Sequence, residues 1–484
     1  MKSPAKAANY TLSLSTFILI TSAVLISIRT FPLQALVGWQ TIAFNAIAIL
    51  LYLIPASLVS AELATGWPEE GGVYVWVKQA FGERLGFMAI WLQWFQMTIG
   101  FIGILTFIAG TAAYLYDATL ADSKIFIFAV IVVVWWGATL LNLRGLKTYA
   151  RWTTLFVILG AFVPMVALII GGTLYLTSGH APLIPVVPKF ADLIPKFTSA
   201  NDLVLLITFV FFFIGIEVSA VHAKNMKNPN RDYPIAILVV GVIMAVSSIV
   251  GGIIVAMIIP VKNLSLIAGI MQTFRLLFGS SLGWIAPLMG FLIIVGAVGE
   301  VIAWVLGPVR GLGVAARDGC LPRYFQRENK QGVPVHLMIV QAIFVTIWGA
   351  VFVLLPGGVN AGFWALFALT TSVYIVMYFL MYAAAIKLRY SQPDKVRKFK
   401  IPGGKLGMWL MAGWGLASAL FIFIISLLPP TQVAENPVPF ELFMIIGTIV
   451  VCAIPLAIYA SRKATWKPIA VPPAVVAPVV NLAE

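Results

Sequence analysis

The sequence predicts an all-α polytopic membrane protein with twelve transmembrane helices, and three observations predict it. Of its 484 residues 61% are hydrophobic and 10% charged, with a mean hydropathy of +1.01, a balance outside that of soluble domains. Apolar runs of about 20 residues, the length that crosses a bilayer, recur along the chain. The basic residues, which bring the formal net charge to +14, gather in alternate loops.

The twelve spans fall at roughly 11–33, 40–63, 84–116, 124–142, 152–176, 202–223, 234–259, 283–308, 334–355, 361–386, 405–428 and 439–461. With the N-terminus inside, 25 of the 31 Lys and Arg lie in cytoplasmic segments, five in external loops, and Arg29 within a span. That asymmetry predicts that both termini are cytoplasmic. No large soluble domain interrupts the spans. The external loop at Leu264–Phe274 is expected to form a short surface helix, and the tail 462–484, rich in Ala, Val and Pro, to be disordered. Lys2 and Lys6 before an apolar run imitate a signal peptide. No small-residue cleavage site closes that run, so it reads as the first helix.

Composition also narrows the function. The basic residues are scattered over loops without an aromatic-interleaved basic domain, which argues against nucleic-acid binding. Cys320 and Cys452 have neither metal-ligand spacing nor a disulfide framework, and the three histidines are far apart, so no metal or other cofactor is expected. His222 is read as a solvated histidine rather than a pH sensor. The string Gly311-Leu-Gly313-Val-Ala-Ala316 imitates a dinucleotide loop but follows a membrane helix instead of a strand. Asn9-Tyr-Thr11 and Asn263-Leu-Ser265 match the glycosylation pattern by chance.

Against that apolar background a few residues stand out. The stretch Phe211–Pro234 places Gly215 beside Glu217 inside a span. Glycine loosens a helix, and an ionisable group at membrane depth is costly unless a pathway or partner uses it. Arg29, Glu300 and, near the inner end of helix 2, Glu62 are the other charges at that depth. They read either as a structural ion-pair network or as the lining of a water-filled path. Trp304 follows Glu300 by one helical turn, an aromatic face beside a carboxylate that suits the ammonium of a zwitterion. Tyr374 and Tyr378 form an i, i+4 pair that reads as a gate, or as ordinary packing. Thr21-Ser22-Ala23 is a small, hydroxyl-bearing interruption where helix 1 would unwind.

Five strings then carry a resemblance: AELATGWPEEGGVYVWV (Ala61–Val77), GIEVSAVHAKNMKNPNRDYP (Gly215–Pro234), AGIMQTF (Ala268–Phe274), GEVIAWVLGPVRGL (Gly299–Leu312) and IPGGK (Ile401–Lys405). On these the chain resembles the amino acid–polyamine–organocation transporters, and within them the bacterial glutamate/γ-aminobutyrate antiporter branch. The resemblance implies a LeuT-like five-plus-five inverted repeat followed by two additional helices. Its parts would be 1–200 (helices 1–5), 201–400 (helices 6–10), 401–461 (helices 11 and 12) and the tail 462–484. It implies broken helices 1 and 6 at the substrate site, exchange without ATP, and a place in the bacterial inner membrane as a monomer or homodimer. Thr21, Ser22, Ala23, Gln96, Gly215, Glu217, Glu300 and Trp304 would then bind substrate, and Arg29, Tyr374 and Tyr378 would gate it. Two departures count. Arg29 stands where the acid-resistance members of the branch have a tyrosine, and a cation there favours anionic substrates. The tail lacks histidine and is shorter than the plug of those members, so plug gating is not carried over.

The expected function is secondary active antiport of glutamate, or a close analogue, against γ-aminobutyrate or a related amino acid. A proton- or sodium-coupled symporter of the same fold is the nearest rival. A lipid-modifying membrane enzyme would need a cluster of His, Asp or Glu at one interface, which is not visible. A substrate-sensing receptor would be expected to carry a signalling domain.

Overall fold

The computed structural model describes residues 13–25, 27–144, 150–197, 200–220, 226–279, 282–430 and 437–467. Among them the secondary structure is helical, without a β-strand. Helix α1 (Leu14–Leu25) stops before an extended Ser27, and α2 (Phe31–Ala35) resumes the path after one 3-10 turn. Helices α3 (Thr41–Ala48) and α4 (Ile54–Gly66) run on through a π-helical turn over Ile49–Leu53. Pro55, which lacks the N–H the ladder needs, sits just beyond that turn, where such a bulge absorbs the lost bond. Helix α5 (Val73–Phe81) is short and ends at Gly82, whose φ of +90° only glycine adopts freely.

Three spans follow: α6 (Glu83–Tyr116), α7 (Lys124–Leu143), capped by the Ser123 hydroxyl, and α8 (Ala150–Thr177). After a single turn, α9 (Phe190–Leu193), the second broken helix comprises α10 (Leu205–Phe212) and α11 (Ile216–Ala220). Then come α12 (Pro229–Ile258), the short α13 (Gly269–Phe278), α14 (Ile285–Ala315), α15 (Val335–Leu354) and α16 (Val359–Ser391). Helices α17 (Gly404–Met408) and α18 (Trp414–Ser426) merge through a π turn, and α19 (Pro437–Ala460) ends the bundle.

Ten of these paths are continuous helices long and apolar enough to cross a membrane. The helical ladder outruns several expected ends. α14 continues to Ala315 instead of 308, and α16 to Ser391 instead of 386. Hydropathy marks where the apolar slab stops, whereas backbone bonding continues into the polar layer. The surface helix expected from Leu264 starts at Gly269, because Ser265 and Leu266 give their amides to Gln272 and Asn360 side chains.

Burial ranks the helices. In α16 and α6, 83% and 72% of the apolar stretch is buried, against 22% in α19, so the first two are central pillars and the last faces outward. Helices α8 and α14 cross at a pair of glycines. A Cβ on Gly160 would lie 2.4 Å from the Gly296 Cα, so only hydrogen allows this approach.

The loops at one end, which hold most of the Lys and Arg, are tied together by ion pairs. Glu62, 2% exposed, binds Arg389 at 2.6 Å and the Ile401 amide at 2.8 Å, with Arg397 3.3 Å away. Arg389 also donates to the carbonyls of Ile401 and Gly404. Glu62 therefore anchors the loop before α17 and takes no part in the central site. Nearby, Asp318 accepts Lys78 at 2.5 Å and the Tyr74 hydroxyl at 2.6 Å; burial, then this bond, pushes the Tyr74 phenol up from its ordinary range.

The tail expected to be disordered from 462 begins in order. Arg462 pairs with Glu83 at 2.6 Å, a 3-10 turn spans Ala464–Trp466, and the Trp466 and Lys467 carbonyls accept Gln326 and Arg323. Backbone carbonyls met by side-chain donors account for the order of residues 462–467. Residues 468–484 lie outside the described residues, as does His222.

Candidate substrate site

The two helix breaks face each other across the centre of the bundle. The second is where the sequence places it: Phe213, Ile214 and Gly215 form a turn between α10 and α11, and Gly215 has φ +99°. A side chain at that φ is strained, so this glycine permits the break. The first break is displaced from its expected position. Thr21, Ser22 and Ala23 are all inside α1, and the helix opens only near Ser27, at φ −140° and ψ 125°. The physical reason lies in the partners. The Ser27 carbonyl freed by the break accepts the Thr30 hydroxyl at 3.1 Å, and its own hydroxyl accepts Arg29 at 3.4 Å. Thr21 and Ser22 are buried, and the Ser22 hydroxyl has no partner among the described residues. The side chain of Ala23 lies outside the described residues.

Glu217, 2% exposed, sits two residues past Gly215 in the first turn of α11. Its Oε1 accepts the Tyr374 hydroxyl and its Oε2 the Tyr378 hydroxyl. Gln93 Nε2 adds a third bond to Oε1 at 3.3 Å. The tyrosine pair of α16 therefore clamps this carboxylate, with Tyr378 also packed edge-on against Tyr52 of the π turn, ring centres 5.1 Å apart. Gln96 is buried, and both its carbonyl and its Oε1 accept the Thr370 hydroxyl, at 2.7 and 3.1 Å. Gln93 was not expected at the site. Its signal was available, since it lies one helical turn before Gln96.

Glu300 and Arg29 come together at 2.5 Å, linking α14 to the turn after the first break; their side chains are 16% and 20% exposed. Trp304 is half-buried one turn beyond Glu300. Glu217, Tyr374, Gln96, Gly215, Arg29, Glu300, Trp304 and Thr21 all line one cavity of about 1810 Å³. Tyr378, fully buried, does not line it.

That cavity reaches exposed residues at one end. It continues past Gly307 and Arg310 to Glu69, Glu70, Arg317, Gln326, Glu328 and Lys398, at the mouth among the basic loops. At the other end Phe211 lines it and packs at a tilt against Phe367, ring centres 4.4 Å apart, while Phe367 stacks on Phe363 at 5.7 Å. These rings, with Arg29, Phe107, Leu266 and Thr370, line a void of about 30 Å³ beside it. The segment before α13 covers it, fastened to α16 by Asn360, which binds the Leu266 amide at 3.0 Å and the Leu264 carbonyl at 3.1 Å. Among the described residues no group of three or more His, Cys, Asp or Glu is placed to hold a metal ion.

Such an arrangement can hold a small zwitterion: helix-break backbone for its charges, an indole face beside it, and a route in from the basic loops. Comparison with known proteins agrees in kind. The profile of the family described as "Amino acid permease" matches residues 12–451. An uncharacterized transporter of Legionella pneumophila is 36% identical, over 92% of this chain and 95% of its own length. A glutamate/gamma-aminobutyrate antiporter of Lactococcus lactis subsp. lactis is 34% identical, over 93% of this chain and 90% of its own. A probable agmatine/putrescine antiporter of the same organism is 26% identical over 86% of this chain and 87% of its own.

Proposed function

The chain belongs to the amino acid permease family, and on that premise we propose that it is an antiporter. It exchanges glutamate, or a close acidic or neutral analogue, for γ-aminobutyrate or a related amino acid by alternating access. One observation carries this reading: a single cavity runs from the basic loops to both helix breaks. The substrate carboxylate binds the amides around Ser27, where a half-helix begins and its dipole favours negative charge. The ammonium meets carbonyls of the Phe213–Gly215 turn, with Trp304 over it. Glu217, held by three donors, shapes the pocket. The names of the Lactococcus relatives support exchange over one-way uptake.

The pairs α1/α2 and α10/α11 complete the ten continuous spans to twelve. Each broken helix leads a group of five, the inverted repeat, and α17–α19 supply the two extra helices. The basic end is cytoplasmic by the charge asymmetry of the loops, which makes the open cavity inward-facing, and the bacterial relatives support a place in the bacterial inner membrane.

Purified protein in proteoliposomes loaded with unlabelled γ-aminobutyrate or glutamate tests this. Labelled glutamate entering loaded vesicles and not empty ones is the expected result. Uptake into empty vesicles driven by a proton or sodium gradient would replace exchange with symport.

A further inference from the structure

We propose that Arg29 is a specificity subsite: its guanidinium receives a carboxylate on the substrate's side chain, and Glu300 is the positioning residue that holds it there. This deepens the amino acid antiport reading and rests on it.

The argument begins with how incompletely the pair is used. Arginine has five N–H donors in a fixed fork, and a carboxylate partner is commonly met by two of them at once. Here a single nitrogen, Nη1, makes every bond: to Glu300 Oε1 at 2.5 Å and to Ser27 Oγ at 3.4 Å. Among the described residues Nη2 and Nε have no hydrogen-bond partner, and neither has Glu300 Oε2. A pair whose only task were to close a path would gain from the bidentate geometry. One held by a single nitrogen on a cavity wall keeps two donor positions for another anion.

Placement supports the same assignment. Of the four Lys and Arg lining the cavity, Arg310, Arg317 and Lys398 belong to the stretch leading to the mouth, while Arg29 is beside the helix break. Arg310 is ten residues along α14 from Glu300, about 15 Å of helix rise towards the mouth. Arg29 is thus the cation that a substrate bound at the breaks meets. Glu300 balances its charge when the site holds a neutral amino acid, so both an acidic and a neutral substrate are accommodated, the acidic one better. No bond is made or broken in this step; the substrate carboxylate takes donors that water otherwise occupies.

The test compares labelled glutamate with labelled glutamine, which differ by a carboxylate against an amide of the same shape. It uses the full chain, as Arg29→Gln/Glu300→Gln (no charge left unpaired) and as Arg29→Lys. The readout is the ratio of the two affinities, measured by competition binding in detergent and by exchange in loaded proteoliposomes. Wild type should favour glutamate, and the double variant should lose that preference by about tenfold or more. Arg29→Lys should keep part of it, since a point charge replaces the fork. A purely structural pair would alter both ligands alike, so an unchanged ratio in the double variant overturns the subsite, as does a wild type indifferent to the two. Binding is read separately from flux. A wild type that binds glutamate through Arg29 yet exchanges nothing would sink the antiport reading alone, and exchange with an unaltered ratio would sink the subsite alone.

Discussion

A carboxylate buried as deeply as Glu217 is tolerable only if hydrogen bonds replace the water it lost. Three donors from two helices do so. Removing one of them, as in Tyr378→Phe, should cost about 1–3 kcal/mol of stability, seen as a lower apparent melting temperature of the detergent-solubilised protein. Combined with Glu217→Gln, the loss should fall short of the sum of the two single changes, because they share one bond. Strictly additive effects would mean the clamp is not energetically coupled. The sequence marked Glu217, Tyr374 and Tyr378 separately, since charge at membrane depth and i, i+4 spacing are local signals. It did not join them, because the bonds link residues 157 and 161 apart. It also placed the first break on Thr21–Ala23 when the bonding at Ser27 decides it. Short hydroxyl residues occur both within helices and at their ends, and only the tertiary partners distinguish the two cases.

At the scale of helices, the crossing of α8 and α14 depends on two hydrogens. Gly296→Leu should therefore prevent recovery of monodisperse protein, or lower its melting temperature sharply, because the new Cβ would stand 2.6 Å from the Gly160 Cα. Gly137→Ala makes a fair control: nothing lies within 4 Å of its would-be Cβ, and alanine favours helix by up to about 1 kcal/mol. Equal behaviour of the two variants would count against the close approach. Helix positions were legible from apolar runs to within several residues. The break at Gly215 was legible because a helix-loosening glycine stands two residues from a carboxylate at membrane depth. The glycine crossing was not, since the chain has 40 glycines and their contacts are not local.

For the molecule as a whole, the sequence indicated a multi-pass membrane protein but not which end of the path stands open. That depends on whether Phe211, Phe363 and Phe367 meet, and apolar residues on three separate turns give no sign of it. Ala303 lines the cavity and is exposed to it. In Ala303→Cys, a membrane-impermeant thiol reagent should label the protein from the basic-loop face and not from the other. The background is low, with Cys320 buried and Cys452 half-buried. Labelling from the opposite face would mean the aromatic closure is not the resting arrangement.

The hydrogen bonds that fix Trp466 and Lys467 bear on how the protein is handled at the bench. Gln326 holds the Trp466 carbonyl and also belongs to the cavity wall, so the last described residue stands beside the entrance. A fluorescent reporter or tag inserted directly after Lys467 would start from that doorway. Transport rates measured on such a fusion deserve comparison with those of protein whose tag has been cleaved. The same anchoring turns a dye near residue 467 into a sensor of movement at the mouth, without any probe inside the path itself.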